Sequence, residues 1–179
     1  MKITKMNIPE KSLLYPGHEK YDYIDSFGGV FNDKNNTIGI ADVAEAFIKP
    51  LPRWAEALMT LRNRIVSLVG LKTSKKSYGK IQSEQFLPDE KVGFFNVYNR
   101  TTNELILGED DKHLNFRVSL FLDNHESDPS KKTVAVTTVV TFNNRMGHAY
   151  FFFVKPFHKL IVPAMLRKEF NQFNHSEFQ

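Results

Sequence analysis

The chain has 179 residues, 41% hydrophobic and 25% charged, the balance of one ordinary globular domain rather than a disordered or fibrous protein. Cysteine is absent, which excludes disulfides and thiolate metal sites. The net charge of +4 comes from scattered cations, and the one dense group, Lys72, Lys75, Lys76 and Lys80, reads as a solvated connector rather than a nucleic-acid face. The N-terminal MKITKMNIPEK holds no signal-peptide core, and no segment is read as the ~20 apolar residues of a membrane span. The expectation is a cytoplasmic, single-domain protein over residues 1–179, with no nucleic-acid partner, no membrane span and no cofactor.

Taken in order, residues 1–20 carry Pro9, Pro16 and Gly17 and read as an irregular arm. YDYIDSF (21–27) alternates and is aromatic, the pattern of a strand, which Gly28 and Gly29 end or bulge. IADVAEAFIK (40–49) reads as a short helix with Asp42 at the N-cap and Glu45 at capping-box spacing. Pro50 stops it, and Pro52 opens a second helix that runs to about Val69, closed by Gly70. Residues 71–90 are a polar connector. The period then changes to two, and 92–98, 103–108, 113–122, 132–142 and 147–154 read as five strands joined by turn-rich links, an antiparallel meander. Lys155-Pro156 opens a last helix, which Pro163 should kink, and 174–179 form a frayed tail.

This order predicts an α+β fold in which a curved antiparallel sheet wraps a long C-terminal helix, with two helices inserted between the first and second strands. Such a helix-grip arrangement commonly leaves a cavity between sheet and helix, and sixteen Phe suit a large core or an apolar cavity.

GEDDKHLNFRVSLFLD (108–123) raises a metal site or a hairpin. In a strand over 113–122, Leu114, Phe116, Val118, Leu120 and Leu122 share one face and His113, Asn115, Arg117 and Ser119 the other. Gly108 keeps Glu109 and Asp111 off that face, so a hairpin followed by a polar row (His113, Asn115, Arg117) is the reading and no metal is expected. In the second helix Trp54, Leu58, Leu61, Ile65 and Leu68 form a buried stripe, widened by Ala55, Met59, Val66 and Val69. Arg62 projects into that arc. A cation there needs a partner: snorkelling to water, a protein carboxylate, or the anionic head of a ligand, which a guanidinium fork suits. Tyr150 and Phe152 share a strand face in the last strand and would line the pocket. HEKYD, HESDP and SYGKI fail as zinc or phosphate motifs.

RWAEALMTLRNRIVSLVGLK (53–72), LGEDDKHLNFRVSL (107–120) and RMGHAYFFFVKPFHKLIVPAMLR (145–167) resemble a bacterial domain family of unknown function, itself similar to the START-like (SRPBCC) superfamily of helix-grip ligand-binding domains. That family also occurs fused after NAD(P)-binding epimerase-like domains. The resemblance implies a binding module for a small, largely apolar ligand, acidic in one version. The ligand-binding set is Arg62, Trp54, His113, Arg117, Tyr150 and Phe152. The alternatives are a cyclase, dehydratase or isomerase in the same cavity, with His113, Arg117 or Tyr150 as acid, base or oxyanion donor, and an interaction module for an epimerase-like reductase. The reading leans away from an enzyme, and a homo-oligomer is compatible with it.

Overall fold

The computed structural model describes residues 2–48, 86–92 and 95–175. Among these, seven antiparallel strands form one curved sheet: β1 (Thr4–Lys5), β2 (Tyr23–Asn32), β3 (Lys91–Val92), β4 (Phe95–Arg100), β5 (Glu104–Asp110), β6 (Leu114–Asn124) and β7 (Lys131–Phe142). The order across the sheet is β1-β2-β7-β6-β5-β4-β3. The meander β3 to β7 is therefore extended by the first two strands beside its last. Helix α1 (Ile40–Ile48) follows β2, and helix α2 (Arg145–His175) follows β7. The α+β class and the C-terminal helix on an antiparallel sheet are as expected. The proposed second helix, with Trp54 and Arg62, lies outside the described residues.

Alternation decides which side chains meet. Val97, Leu105, Leu107, Val118, Leu120, Leu122, Val134 and Val136 point to the inner face, where they pack with Val43, Ala44 and Phe47 of α1 and Val162 and Leu166 of α2. Their intervening neighbours Ile106 and Val139 point outward and pack under Ile8 and Leu14 of the N-terminal arm. The division of β6 side chains into two faces read from the sequence thus holds, with the face of Val118, Leu120 and Leu122 inside.

The arm is less irregular than expected. It contributes β1 and a 3-10 turn at Tyr15–Lys20, and it is held by Glu104. This buried carboxylate accepts hydrogen bonds from the Ser12 hydroxyl at 2.6 Å, the Leu13 amide at 2.8 Å and the Ser119 hydroxyl. β2 runs straight through Gly28 and Gly29, opposite Ala135 and Val134. A side chain at Gly28 would meet Met6 Sδ at 2.4 Å and the Val134 carbonyl at 2.7 Å, so glycine admits the arm rather than ending the strand.

Two helix starts differ from the sequence reading. α1 begins at Ile40, and Asp42 reaches back to the Gly39 amide at 2.8 Å. Asp42 is the returning acid of a capping box, not the cap. The larger correction is at 147–154, which is helix rather than a fifth meander strand. Asn144 is the N-cap of α2: its Oδ1 accepts the Gly147 amide at 3.1 Å. An unbroken run such as AYFFFV has no period of its own. The longer pattern, Phe151, Val154, His158, Ile161, Val162, Met165, Leu166, is helical and faces the sheet. The helix continues through Pro156 and Pro163. Each proline removes one amide, whose carbonyl partner would sit four residues earlier, at Phe152 and Lys159. Both of those residues are exposed, so solvent can serve the freed carbonyls.

The strand reading also hid a second property. Residues 145–168 form a helix long and apolar enough, by length and composition alone, to cross a bilayer.

Candidate functional site

Among the described residues the inner face is largely apolar, and a polar group sits where β2, β7 and α2 meet. Asp25 lies on the inner side of β2, between Tyr23 and Phe27 in the alternation, and is 3% exposed. The Tyr23 hydroxyl donates to its Oδ2 at 2.5 Å, and His158 Nε2 lies 3.1 Å from its Oδ1. Thr138 is the residue of β7 paired with Asp25, so its side chain points to the same face. Its Oγ1 is buried and has no hydrogen-bond partner among the described residues.

Both ionisable groups occupy places in apolar stripes. Asp25 interrupts the inner row of β2, and His158 interrupts the inward stripe of α2. Each satisfies the other, as a buried charge or ring nitrogen requires. Aromatic rings close around them: Tyr23 stacks obliquely on Phe151 with centroids 4.6 Å apart, and Phe142 lies 5.5 Å from Phe151. Lys155 Nζ sits 5.0 Å over the Tyr23 ring. Burial first, then the hydrogen bond to Asp25 and its charge, push the Tyr23 phenol well above its ordinary 10.0, so this hydroxyl remains a donor. Chemically, the group offers a carboxylate, an imidazole able to donate or accept, and a free hydroxyl, all against aromatic walls.

The residues expected from the sequence are placed elsewhere. Arg117 is on the outer face, away from α2. Its guanidinium stacks on Tyr98 at 3.4 Å and grips both oxygens of Asp110, at 2.8 and 3.1 Å. Tyr98 adds a hydrogen bond to Asp110 at 2.9 Å, and the Arg117 guanidinium holds the Asp110 carboxyl below its ordinary range. This fork is fully engaged by protein. His113 lies just before β6, its Nδ1 3.3 Å from the Asn144 side chain, at the start of α2. Its Nε2 is buried without a partner among the described residues. Tyr150 packs at the edge of the Leu114, Val140 and Phe151 cluster. Phe152 projects outward from α2 and is 73% exposed, because the segment is helix and not strand. Arg62 and Trp54 are outside the described residues. Asp111 bonds the His113 amide at 3.1 Å, as a turn residue does, and among the described residues no three His, Asp or Glu side chains gather as metal ligands.

Sequence reasoning missed Asp25, Thr138 and the role of His158. The signal was present: an acid in the inner alternation of one element and a histidine in the apolar stripe of another. It became readable only with α2 starting at Asn144, since a helix opened at Lys155 leaves His158 too near the end for its stripe to show.

A family model described as a protein of unknown function, DUF2867, matches residues 18–165. The chain belongs to this family. No curated protein and no solved structure matches it. The DUF2867 match spans β2, where Asp25 lies, through the part of α2 that bears His158, so the polar cluster lies inside the family's domain.

Proposed function

We propose that this DUF2867 protein is a small-molecule binding module of the START-like, SRPBCC helix-grip kind, which holds a largely apolar ligand between the inner face of the sheet and α2. The observation that carries the reading is the buried Thr138 hydroxyl, unpartnered beside the Asp25–His158 pair. An unsatisfied buried hydroxyl costs about 1–3 kcal/mol. A ligand carbonyl or hydroxyl at this point would engage Thr138 and His158 together, while Tyr23, Phe142 and Phe151 would contact its apolar body.

Where the ligand is an acid, Arg62 is the anchor proposed for its head group and Trp54 for the apolar wall; both roles rest on the helical pattern of 53–69. His113 and Tyr150 would be reached from the N-terminal end of α2. Arg117 and Phe152 are not carried into the proposal, the first being committed to Asp110 and the second facing outward. The role beside an epimerase-like reductase rests on resemblance alone.

The Asp25–His158 pair favours one second reading, an isomerase, cyclase or dehydratase in which His158 moves a proton to or from the ligand and Asp25 orients the ring. It uses the same place and differs in outcome: turnover rather than retention.

The test is a thermal-shift panel of medium-chain fatty acids, the matching alcohols and their methyl esters. The proposal expects one class to raise the Tm of wild type and to lose most of that effect with Thr138→Val. If the acids are that class, Arg62→Ala weakens them and leaves the alcohols unchanged. A flat panel, or a shift that Thr138→Val preserves in full, counts against the site.

A further inference from the structure

The outward side of α2 carries an exposed apolar stripe. Phe152 and Leu160 are 73% and 61% exposed, and Met146 and Phe153 are exposed as well. With Ala149 and Pro156 they recur every three or four residues on the side opposite Phe151, His158, Ile161, Val162 and Leu166. Only 22% of the most apolar window of this bilayer-length helix is buried. Single apolar residues on a surface are ordinary, but a continuous apolar strip marks a surface that binds.

Charge selects the occupant. From Arg145 to Lys168 the chain has no Asp or Glu, and Arg145, Lys155, Lys159 and Arg167 are exposed along and at the ends of the stripe. A second copy laid stripe to stripe would bring two sets of cations together with no acid between them. An anionic lipid surface neutralises them while its acyl boundary receives the rings. The helix does not cross: its other side is fixed to the sheet by Phe151, Val162, Leu166 and the Asp25–His158 contact. We infer that α2 docks this protein peripherally on an anionic membrane, lying in the interface plane with Phe152, Phe153 and Leu160 inserted and Lys159 and Arg167 at the headgroups. The inference is independent of any ligand inside the fold.

The experiment is co-sedimentation of the whole chain with vesicles of pure phosphatidylcholine and with vesicles of phosphatidylcholine and phosphatidylglycerol in equal amounts. Wild type should bind the second and not the first, and added salt should weaken binding. Lys159→Gln with Arg167→Gln should lower partitioning about 25-fold, at roughly fivefold for each cation near the surface. Phe152→Ser with Leu160→Ser should lower it at least about tenfold. These side chains are exposed, so melts like wild type are expected, and the salt dependence of wild type gives the same answer without any substitution. Failure to sediment with the anionic vesicles overturns the inference, as does equal binding to both kinds. A dimer in sedimentation velocity that Phe152→Ser with Leu160→Ser dissolves, without vesicle binding, overturns it in favour of a second copy.

Discussion

His158 Nε2 lies 3.1 Å from Asp25 Oδ1 and joins the C-terminal helix to the second strand across the inner face of the sheet. Asp25 is almost wholly buried there, so each partner depends on the other. His158→Leu leaves the carboxylate with Tyr23 as its side-chain donor and should destabilise the fold by about 1–3 kcal/mol, the scale for leaving a buried polar group short of a partner. Asp25→Leu with His158→Leu should cost less than the sum of the two single changes. Urea denaturation of the four proteins in a double-mutant cycle measures the coupling, expected at about 1–3 kcal/mol. Additive effects would mean that the contact contributes nothing.

Tyr23 should titrate late. Its phenol is pushed above the ordinary 10.0 by burial and by Asp25, so the folded state holds the proton more tightly than the unfolded chain. The stability linked to it is complete below pH 10.0 and falls as pH rises toward the higher folded value. Tyr23→Phe should flatten the alkaline limb of a stability–pH curve and, by losing one hydrogen bond to a carboxylate, cost about 1.5–3 kcal/mol near neutrality. Denaturation melts across alkaline pH check both effects.

A second buried pair governs the acid limb. Lys132 Nζ lies 2.7 Å from Asp33 Oδ2, and the amides of Thr37 and Ile38 reach the same carboxylate at 3.0 and 3.1 Å. Burial pushes Asp33 up, but Lys132 and these amides outweigh it and hold the carboxyl below its ordinary 3.8. Its contribution is therefore present above pH 3.8 and lost as pH falls through the lower folded value. Asp33→Asn should remove that part of the acid sensitivity. Lys132→Met should cost about 3–5 kcal/mol near neutrality by leaving Asp33 buried without its cation.

Much of this architecture was legible in the sequence, and several of the failures have a common cause. β6 alternates clearly, and the sequence groups Val118, Leu120 and Leu122 on one face, as the structure does, but leaves open which face is inside. Residues 147–154 have no such contrast: Phe151 faces the sheet and Phe152 faces solvent, yet both are phenylalanine. A strand there places Tyr150 and Phe152 in the pocket, hides the capping role of Asn144 and divides the bilayer-length helix. Arg117 shows a different limit. Alternation groups it with Asn115 and Ser119, but cannot say which face the helix covers or that Asp110 and Tyr98 already occupy the guanidinium. Asp25 and Thr138 become a site only through the β2–β7 register, which pairs residues 113 positions apart.

The start of α2 offers a test in which the sign itself decides. A Cβ at Gly147 would lie 2.1 Å from the His113 carbonyl. In an open helix Gly→Ala adds about 1 kcal/mol of stability. Here Gly147→Ala should instead destabilise, by about 1–3 kcal/mol, seen as a lower Tm. Stabilisation would show that α2 does not pass this close to the head of β6.

The proposed binding site is tested most directly by native mass spectrometry of the protein purified without added ligand, comparing wild type with Thr138→Val. Valine keeps the shape of threonine and removes the hydroxyl. The expected result is a small-molecule adduct on wild type that is lost or strongly reduced on the folded variant, its mass giving the ligand's chemical class. An adduct retained equally by both proteins, or none on either while the ligand panel is also silent, would contradict a ligand anchored between Thr138 and the Asp25–His158 pair.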